Sequence, residues 1–117
     1  MEIGTDCTDI IRFENIYKQK RLLKKIFTNA EIKCCQERNN SAKNYATRFA
    51  AKEAIIKALF AYDIKIPFNR IEITNEANGR PIAKILGEEH KFLNIKISTS
   101  HAKDIATALA IVEKKEK

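Results

Sequence analysis

With 117 residues, 44% of them hydrophobic and 32% charged, the chain suits one domain spanning 1–117 and is too apolar for a disordered polypeptide. No apolar run approaches the ~18 residues of a membrane span, and Met1-Glu2-Ile3-Gly4 lacks the basic and apolar regions of a signal peptide, so the expected location is cytoplasmic, with no membrane partner. The formal charge of +7 points to an acidic partner: nucleic acid, an anionic protein or a phosphorylated small molecule.

In chain order, residues 2–6 read as a short first strand. Asp9 to about Lys25 reads as helical, with Ile10, Phe13, Ile16 and Tyr17 on one side. Lys18, Lys20, Arg21, Lys24 and Lys25 crowd this segment, most simply as a solvated helix face. Thr28-Asn29-Ala30-Glu31 is a capping box that opens a helix to about Glu37. Cys7, Cys34 and Cys35 make an odd count without C-x-x-C spacing; the adjacent pair reads as small, buried or half-buried helix residues, with a reactive thiol as the alternative. Asn39-Asn40-Ser41 breaks the chain, and Ser41 is placed to N-cap a long helix through Tyr62.

That long helix carries charge in an unusual place. Advancing 100° per residue, Tyr45, Ile56 and Phe60 cluster around Phe49, and Glu53 falls inside the edge of the stripe. Lys57 follows one turn later and Lys52 flanks the stripe from the other side. A carboxylate turned toward a core needs a positive receiver, which is Lys57, a metal ion or a reacting group.

The second half changes period. Ile71 and Ile73 alternate with Glu72 and Thr74, Asn78-Gly79-Arg80-Pro81 turns the chain, and Ile82 to Leu86 leaves as a partner strand. Residues 87–93 read as an irregular crossing. Ile95, Ile97 and Thr99 alternate with polar residues, and Ile105 to Val112 is apolar on both faces, as in a central or interface strand. Lys114 to Lys117 reads as a tail. The class is α+β: one long helix and shorter N-terminal helices packed on a small antiparallel sheet.

Asp6 is either a helix cap or a partner of Glu53; two carboxylates with few other oxygen ligands suit Mg²⁺ when substrate phosphates complete its octahedron. Lys57 is either an i,i+4 partner of Glu53 or a phosphate clamp. His101 at a strand end and Arg80 in a hairpin turn are each weak signals alone.

Together these pieces resemble the holo-acyl-carrier-protein synthases, the small trimeric type of 4′-phosphopantetheinyl transferase. Gly4-Thr5-Asp6 with Ile10-Ile11-Arg12-Phe13 is similar to that family's opening G-x-D and following basic residue. Ile26 to Glu31 resembles its F-T-x-x-E helix start, Arg48-Phe49-Ala50-Ala51-Lys52-Glu53-Ala54 with Lys57-Ala58 its core signature, Asn78 to Pro81 its nucleotide-side turn, and Ser98-Thr99-Ser100-His101 its S-x-S-H strand end. The resemblance implies transfer of phosphopantetheine from coenzyme A to a serine of apo acyl carrier protein, releasing adenosine 3′,5′-bisphosphate, in fatty acid biosynthesis. It implies Mg²⁺ on Asp6 and Glu53, with Glu53 also taking the serine proton directly or through water. Lys57 is then set on the phosphate under attack, and Arg48, Gly79, Arg80, Pro81 and His101 at the nucleotide end. Arg12, Arg21, Lys24, Lys25 and Phe49 fall on the face expected to dock the acidic carrier. A homotrimer with interfacial sites would cover strand 105–112. The competing class is a small basic RNA-binding module, which has the charge but lacks the strand aromatics that stack bases, so no nucleic-acid partner is expected; a trimer that binds carrier protein without turnover is a third reading.

Overall fold

The computed structural model describes residues 1–115. Its elements run β1 (Glu2–Asp9), 3₁₀ turns at Ile10–Phe13 and Ile16–Lys18, α1 (Lys20–Ile26), α2 (Asn29–Gln36), α3 (Ala42–Phe60), a 3₁₀ turn at Phe68–Arg70, and strands β2 (Ile71–Asn75), β3 (Pro81–Ile85), β4 (Leu93–Ala102) and β5 (Ile105–Lys114). This is the expected α+β class. Lys114 closes β5, while Glu116 and Lys117 of the expected tail lie outside the described residues.

The apolar strand 105–112 is central, as its two-faced pattern requires: the sheet order is β1-β5-β4, all antiparallel. Ala106, Ala108, Ala110 and Val112 are buried beneath α3. The register sets Asp6 and Thr99 on either side of Ala108, and Thr8 and His101 on either side of Ala106. Asp6, Thr99 and His101 therefore share the helix-facing side at one end of the sheet. The strands do not form one meander: β2 and β3 pair only with each other, because the crossing through Gly87, at φ +100°, carries the chain out of that ladder.

Two sequence expectations change. The helix expected over Asp9–Lys25 is broken by Asn15 in the left-handed region, at φ +62°, and only its last part is α-helical. Phe13, Ile16, Leu23 and Phe27 still reach a common core with Cys35 and Tyr45, so burial fixes the path where helix propensity does not. The stripe on α3 also rotates. Its core face is Ala46, Ala50, Ala51, Ala54, Ile55, Ala58 and Leu59, while Phe60 is 60% exposed.

Small residues win that face because β1 lies against it at backbone distance. A Cβ added to Gly4 would sit 1.9 Å from the Ala54 carbonyl oxygen and 2.9 Å from the Ala58 nitrogen. This close approach carries Asp6, two residues further along the same strand face, toward Glu53 and Lys57. The capping box forms as expected: the Glu31 amide donates to Thr28 Oγ1 at 3.3 Å and the Thr28 amide to Glu31 Oε1 at 2.8 Å. Ser41 takes the N-cap position of α3, but its side chain makes no capping bond.

Candidate active site

The acidic end of the site is built by β1 and α3. Asp6 stands within the longer first strand rather than at its end, and caps no helix. Its Oδ2 accepts from the Thr8 hydroxyl at 2.6 Å and its Oδ1 from Lys57 Nζ at 3.2 Å. Lys57 also donates to the Thr5 carbonyl at 2.9 Å, so it bonds to β1 rather than forming a helix-surface pair with Glu53. Burial raises the Glu53 carboxyl above the ordinary glutamate range, and the nearby Asp6 carboxylate raises it further; Lys57 and Arg12 act in the opposite direction. Asp6, Glu53, Lys57 and Arg12 thus share one electrostatic neighbourhood. Among the described residues no group of three or more His, Cys, Asp or Glu side chains is placed to hold a metal. Two mutually repelling carboxylates nevertheless fit Mg²⁺, a hard cation that takes one or two carboxylates and keeps positions for water and phosphate oxygens.

Asp6 and Lys57 border a cleft of about 620 Å³ with Thr5, Ser98, Ser100 and Thr107. Thr99 joins it to a second cleft of about 270 Å³, lined by Arg38, Lys43, Arg48, Asn75, Pro81 and His101. Arg48, Pro81 and His101 therefore converge as the sequence reading requires. Gly79 and Arg80 do not line this cleft. Gly79 turns the chain at φ +89° in open space, and Arg80 lies 4.0 Å from Glu76 on the exposed side of the hairpin. Arg48 is buried and largely committed: it donates to the carbonyls of Ile73 and Asn44, to Asn75 Oδ1 and to Cys34 Sγ. Its guanidinium shapes the cleft floor, whereas His101, Lys43 and Arg38 are exposed on the walls. Arg38 and Lys43 escaped the sequence reading. The available signal was a basic residue on each side of Asn39-Asn40, whose positive φ values of 59° and 53° fold the two together.

Arg12, Arg21, Lys24 and Lys25 are all exposed, and of these Arg12 is near enough to Glu53 to act on its carboxyl. Phe49 is not a free docking side chain. It stacks on Phe68 with centroids 5.3 Å apart, tilts against Phe13 at 5.1 Å, and lies under the Arg12 guanidinium at 5.3 Å. Besides Arg48, α3 buries the charge of Lys52, one residue before the expected Glu53. Lys52 pairs with Glu31 and both side chains are fully buried; desolvation lowers the lysine and raises the glutamate, each opposed by the partner.

The cysteines divide by exposure. Cys35 is buried with its thiol pushed up to about 11, mainly by desolvation, whereas Cys7 is exposed and Cys34 half-buried. At pH 8 the folded protein is expected to leave Cys35 unlabelled by iodoacetamide until denaturant is added. Peptide mapping that finds early label on Cys35 would contradict this placement.

The family model described as the 4′-phosphopantetheinyl transferase superfamily matches residues 2–110. A holo-[acyl-carrier-protein] synthase of Caldicellulosiruptor saccharolyticus is 38% identical over 120 residues, covering 97% of each chain. Among solved structures, a Chronobacterium ammoniagenes ACPS–CoA complex superposes with TM-score 0.81 at 26% identity, covering 98% of each chain. A Helicobacter pylori holo-[acyl-carrier-protein] synthase in complex with coenzyme A gives TM-score 0.80 at 27% identity, covering 95% of this chain and 99% of that one.

Proposed function

The chain belongs to the 4′-phosphopantetheinyl transferase superfamily and transfers the 4′-phosphopantetheine arm of coenzyme A to a serine of apo acyl carrier protein; we propose that Asp6, Glu53 and Lys57 perform the chemistry while the Arg38–Lys43–His101 cleft holds the nucleotide. The observation that carries this reading is the meeting of Asp6 and Lys57 at one cleft that Thr99 joins to the other. Coenzyme A needs such an extended site, with positive charge at its nucleotide end and acid–base groups at its pyrophosphate.

Asp6 and Glu53 would hold Mg²⁺, which neutralises the charge that develops on the pyrophosphate oxygens during transfer. Glu53 accepts the proton of the incoming serine hydroxyl, directly or through a water. The serine oxygen forms its bond to the β-phosphorus as the bond to the departing adenosine 3′,5′-bisphosphate breaks. Lys57 retains one N–H beyond its bonds to Asp6 and Thr5 and donates it to the phosphate under attack. His101, Lys43 and Arg38 attract the nucleotide phosphates, and Arg48 fixes the floor against which they rest.

The chain works in the cytoplasm in this reading, and no helix of the described residues is long and apolar enough to cross a membrane. It assembles as a homotrimer. The sheet face turned away from α3 carries Ile3, Thr5 and Cys7 of β1 beside Leu109 and Ile111 of β5, with Ile3 64% exposed, and a second copy would bury these residues and complete the cleft at its open side.

Arg12, Arg21, Lys24 and Lys25 meet the acidic carrier. Arg12→Glu is expected to raise KM for apo acyl carrier protein ~10-fold or more, chiefly through a slower on-rate, with much less change in coenzyme A affinity. Equal losses for both ligands would move Arg12 from docking to the chemical site.

The decisive test of function is intact-mass spectrometry of apo acyl carrier protein incubated with this protein, coenzyme A and Mg²⁺, beside a chelator control. A metal-dependent gain of one phosphopantetheine establishes the transfer. No gain with a folded enzyme and a competent carrier overturns it.

A further inference from the structure

The helix α1 is a weak helix by every local measure. It has seven residues, no side-chain N-cap and no acidic residue in its first turn, whereas isolated helices shorter than ~12–15 residues are marginal in water. Lys20 with Lys24, and Arg21 with Lys25, are like-charge i,i+4 pairs that oppose the helix further. Yet this is the element that must present Arg21, Lys24 and Lys25 as a fixed pattern. Leu23 and the following Phe27 anchor one side in the core.

The other anchor comes from α3. The Lys52 ammonium donates to the carbonyl of Ile26, the last residue of α1, at 2.7 Å. A cation at this position meets both an unsatisfied terminal carbonyl and the negative end of the helix dipole. Lys52 is itself held: it donates to Glu31 and to the Phe68 carbonyl at 3.0 Å. Glu31 in turn accepts the amides of Thr28 and Ile73, each at 2.8 Å. Every partner of the pair is buried or part-buried, so the arrangement is fixed by packing rather than by solvent-exposed charge.

We propose that Lys52 is a positioning residue for carrier docking: its buried ammonium caps the C-terminus of α1 from within the core and fixes the orientation in which the basic residues of that helix meet the acidic carrier protein. The proposal rests on the assignment of α1 to the docking face. It separates the two neighbours in the Lys52-Glu53 dipeptide by role. Glu53 faces the reacting groups, and Lys52, rotated about 100° from it around the same turn, acts on the partner surface through Ile26.

The test is Lys52→Met, measured beside the double variant Glu31→Gln/Lys52→Met, which leaves no buried charge uncompensated if the single variant fails to fold. The expected result is a rise in KM for apo acyl carrier protein of ~10-fold or more with kcat and the affinity for adenosine 3′,5′-bisphosphate held within about twofold, the pattern of lost partner binding rather than lost chemistry. Amide hydrogen exchange is expected to accelerate at Phe27, whose N–H is bonded to the Leu23 carbonyl, while the core strand β5 keeps its protection. An unchanged carrier KM overturns the proposal, as does a parallel loss of carrier binding, nucleotide binding and kcat, which marks a purely structural ion pair. Lys24→Glu/Lys25→Glu in the otherwise native chain distinguishes the premise. If that charge reversal leaves carrier KM unchanged, α1 is not the docking face; if it raises KM and Lys52→Met does not, the docking face stands and the capping role falls.

Discussion

Glu53→Gln is expected to abolish transfer without unfolding the protein. Glutamine keeps the shape of the side chain and removes the charge that, with Asp6, would hold the metal and receive the serine proton. Metal-ion charge stabilisation contributes several kcal/mol to such transition states, so its loss corresponds to ~10³-fold or more in kcat. Stability should move the other way. Burial and the Asp6 carboxylate raise Glu53 above its ordinary range. A folded-state pKa raised above the unfolded one contributes stability below the unfolded value and loses it as pH rises through the folded value. At neutral pH, in chelator, ionised Glu53 therefore destabilises the native state, and the variant is expected to melt slightly higher than the parent. That advantage should shrink as pH falls below the usual glutamate range, where both proteins are neutral at this position. Calorimetric melting with and without Mg²⁺ supplies a second readout: the parent gains stability from the cation and the variant gains little. Near-normal turnover in Glu53→Gln would remove Glu53 from the chemistry, and an equal Mg²⁺ response in both proteins would remove it from the metal.

Much of the site was legible because its residues lie in short local patterns. The capping box at Thr28–Glu31, the break at Asn39-Asn40 and the turn at Gly79 each follow from rules that span four residues or so and appear where the pattern placed them, and the strand expected before His101 runs one residue past it. What the sequence concealed is set by contacts over long separations. The 100° spacing draws the apolar stripe on α3 through Tyr45, Phe49, Ile56 and Phe60, of which Tyr45 is fully buried and Phe60 exposed. The core instead selects the alanines of the adjacent face, since only they let β1 approach, and it buries Lys52 rather than Glu53. The partner that makes Lys52 tolerable, Glu31, is 21 residues earlier and already employed in the capping box. No periodicity connects the two. The same holds for the division of the strands into two sheets and for the commitment of Arg48 to Ile73 and Asn75. Arg80 shows the converse: a turn motif located the hairpin correctly, but its side chain follows Glu76 out of the cleft.

Gly4→Ala should damage both stability and rate, although Gly4 bears no chemistry. The added methyl would fall 1.9 Å from the Ala54 carbonyl oxygen and 2.9 Å from the Ala58 nitrogen. Both are backbone atoms of a helix, so neither can rotate aside as a side chain would. The strand must lift from α3 or the helix must bend. Overpacking of this kind costs about 1–3 kcal/mol and more where the neighbour is rigid, and a loss of ~3 kcal/mol lowers Tm by on the order of 10 °C in a domain of this size. The functional consequence follows from register. Asp6 lies two residues from Gly4 on the same face of β1, so a displaced strand carries Asp6 away from Glu53 and draws Lys57 with it through the 3.2 Å bond. A shift of ~1 Å in a reacting group costs about 10²-fold in rate. Gly4→Ala is therefore expected to lose about two orders of magnitude in kcat at temperatures well below its own melting point, and to bind Mg²⁺ more weakly. Wild-type kcat in a protein that is merely less stable would show that β1 and α3 can part without separating the two carboxylates, and would break the link drawn here between the glycine and the chemistry.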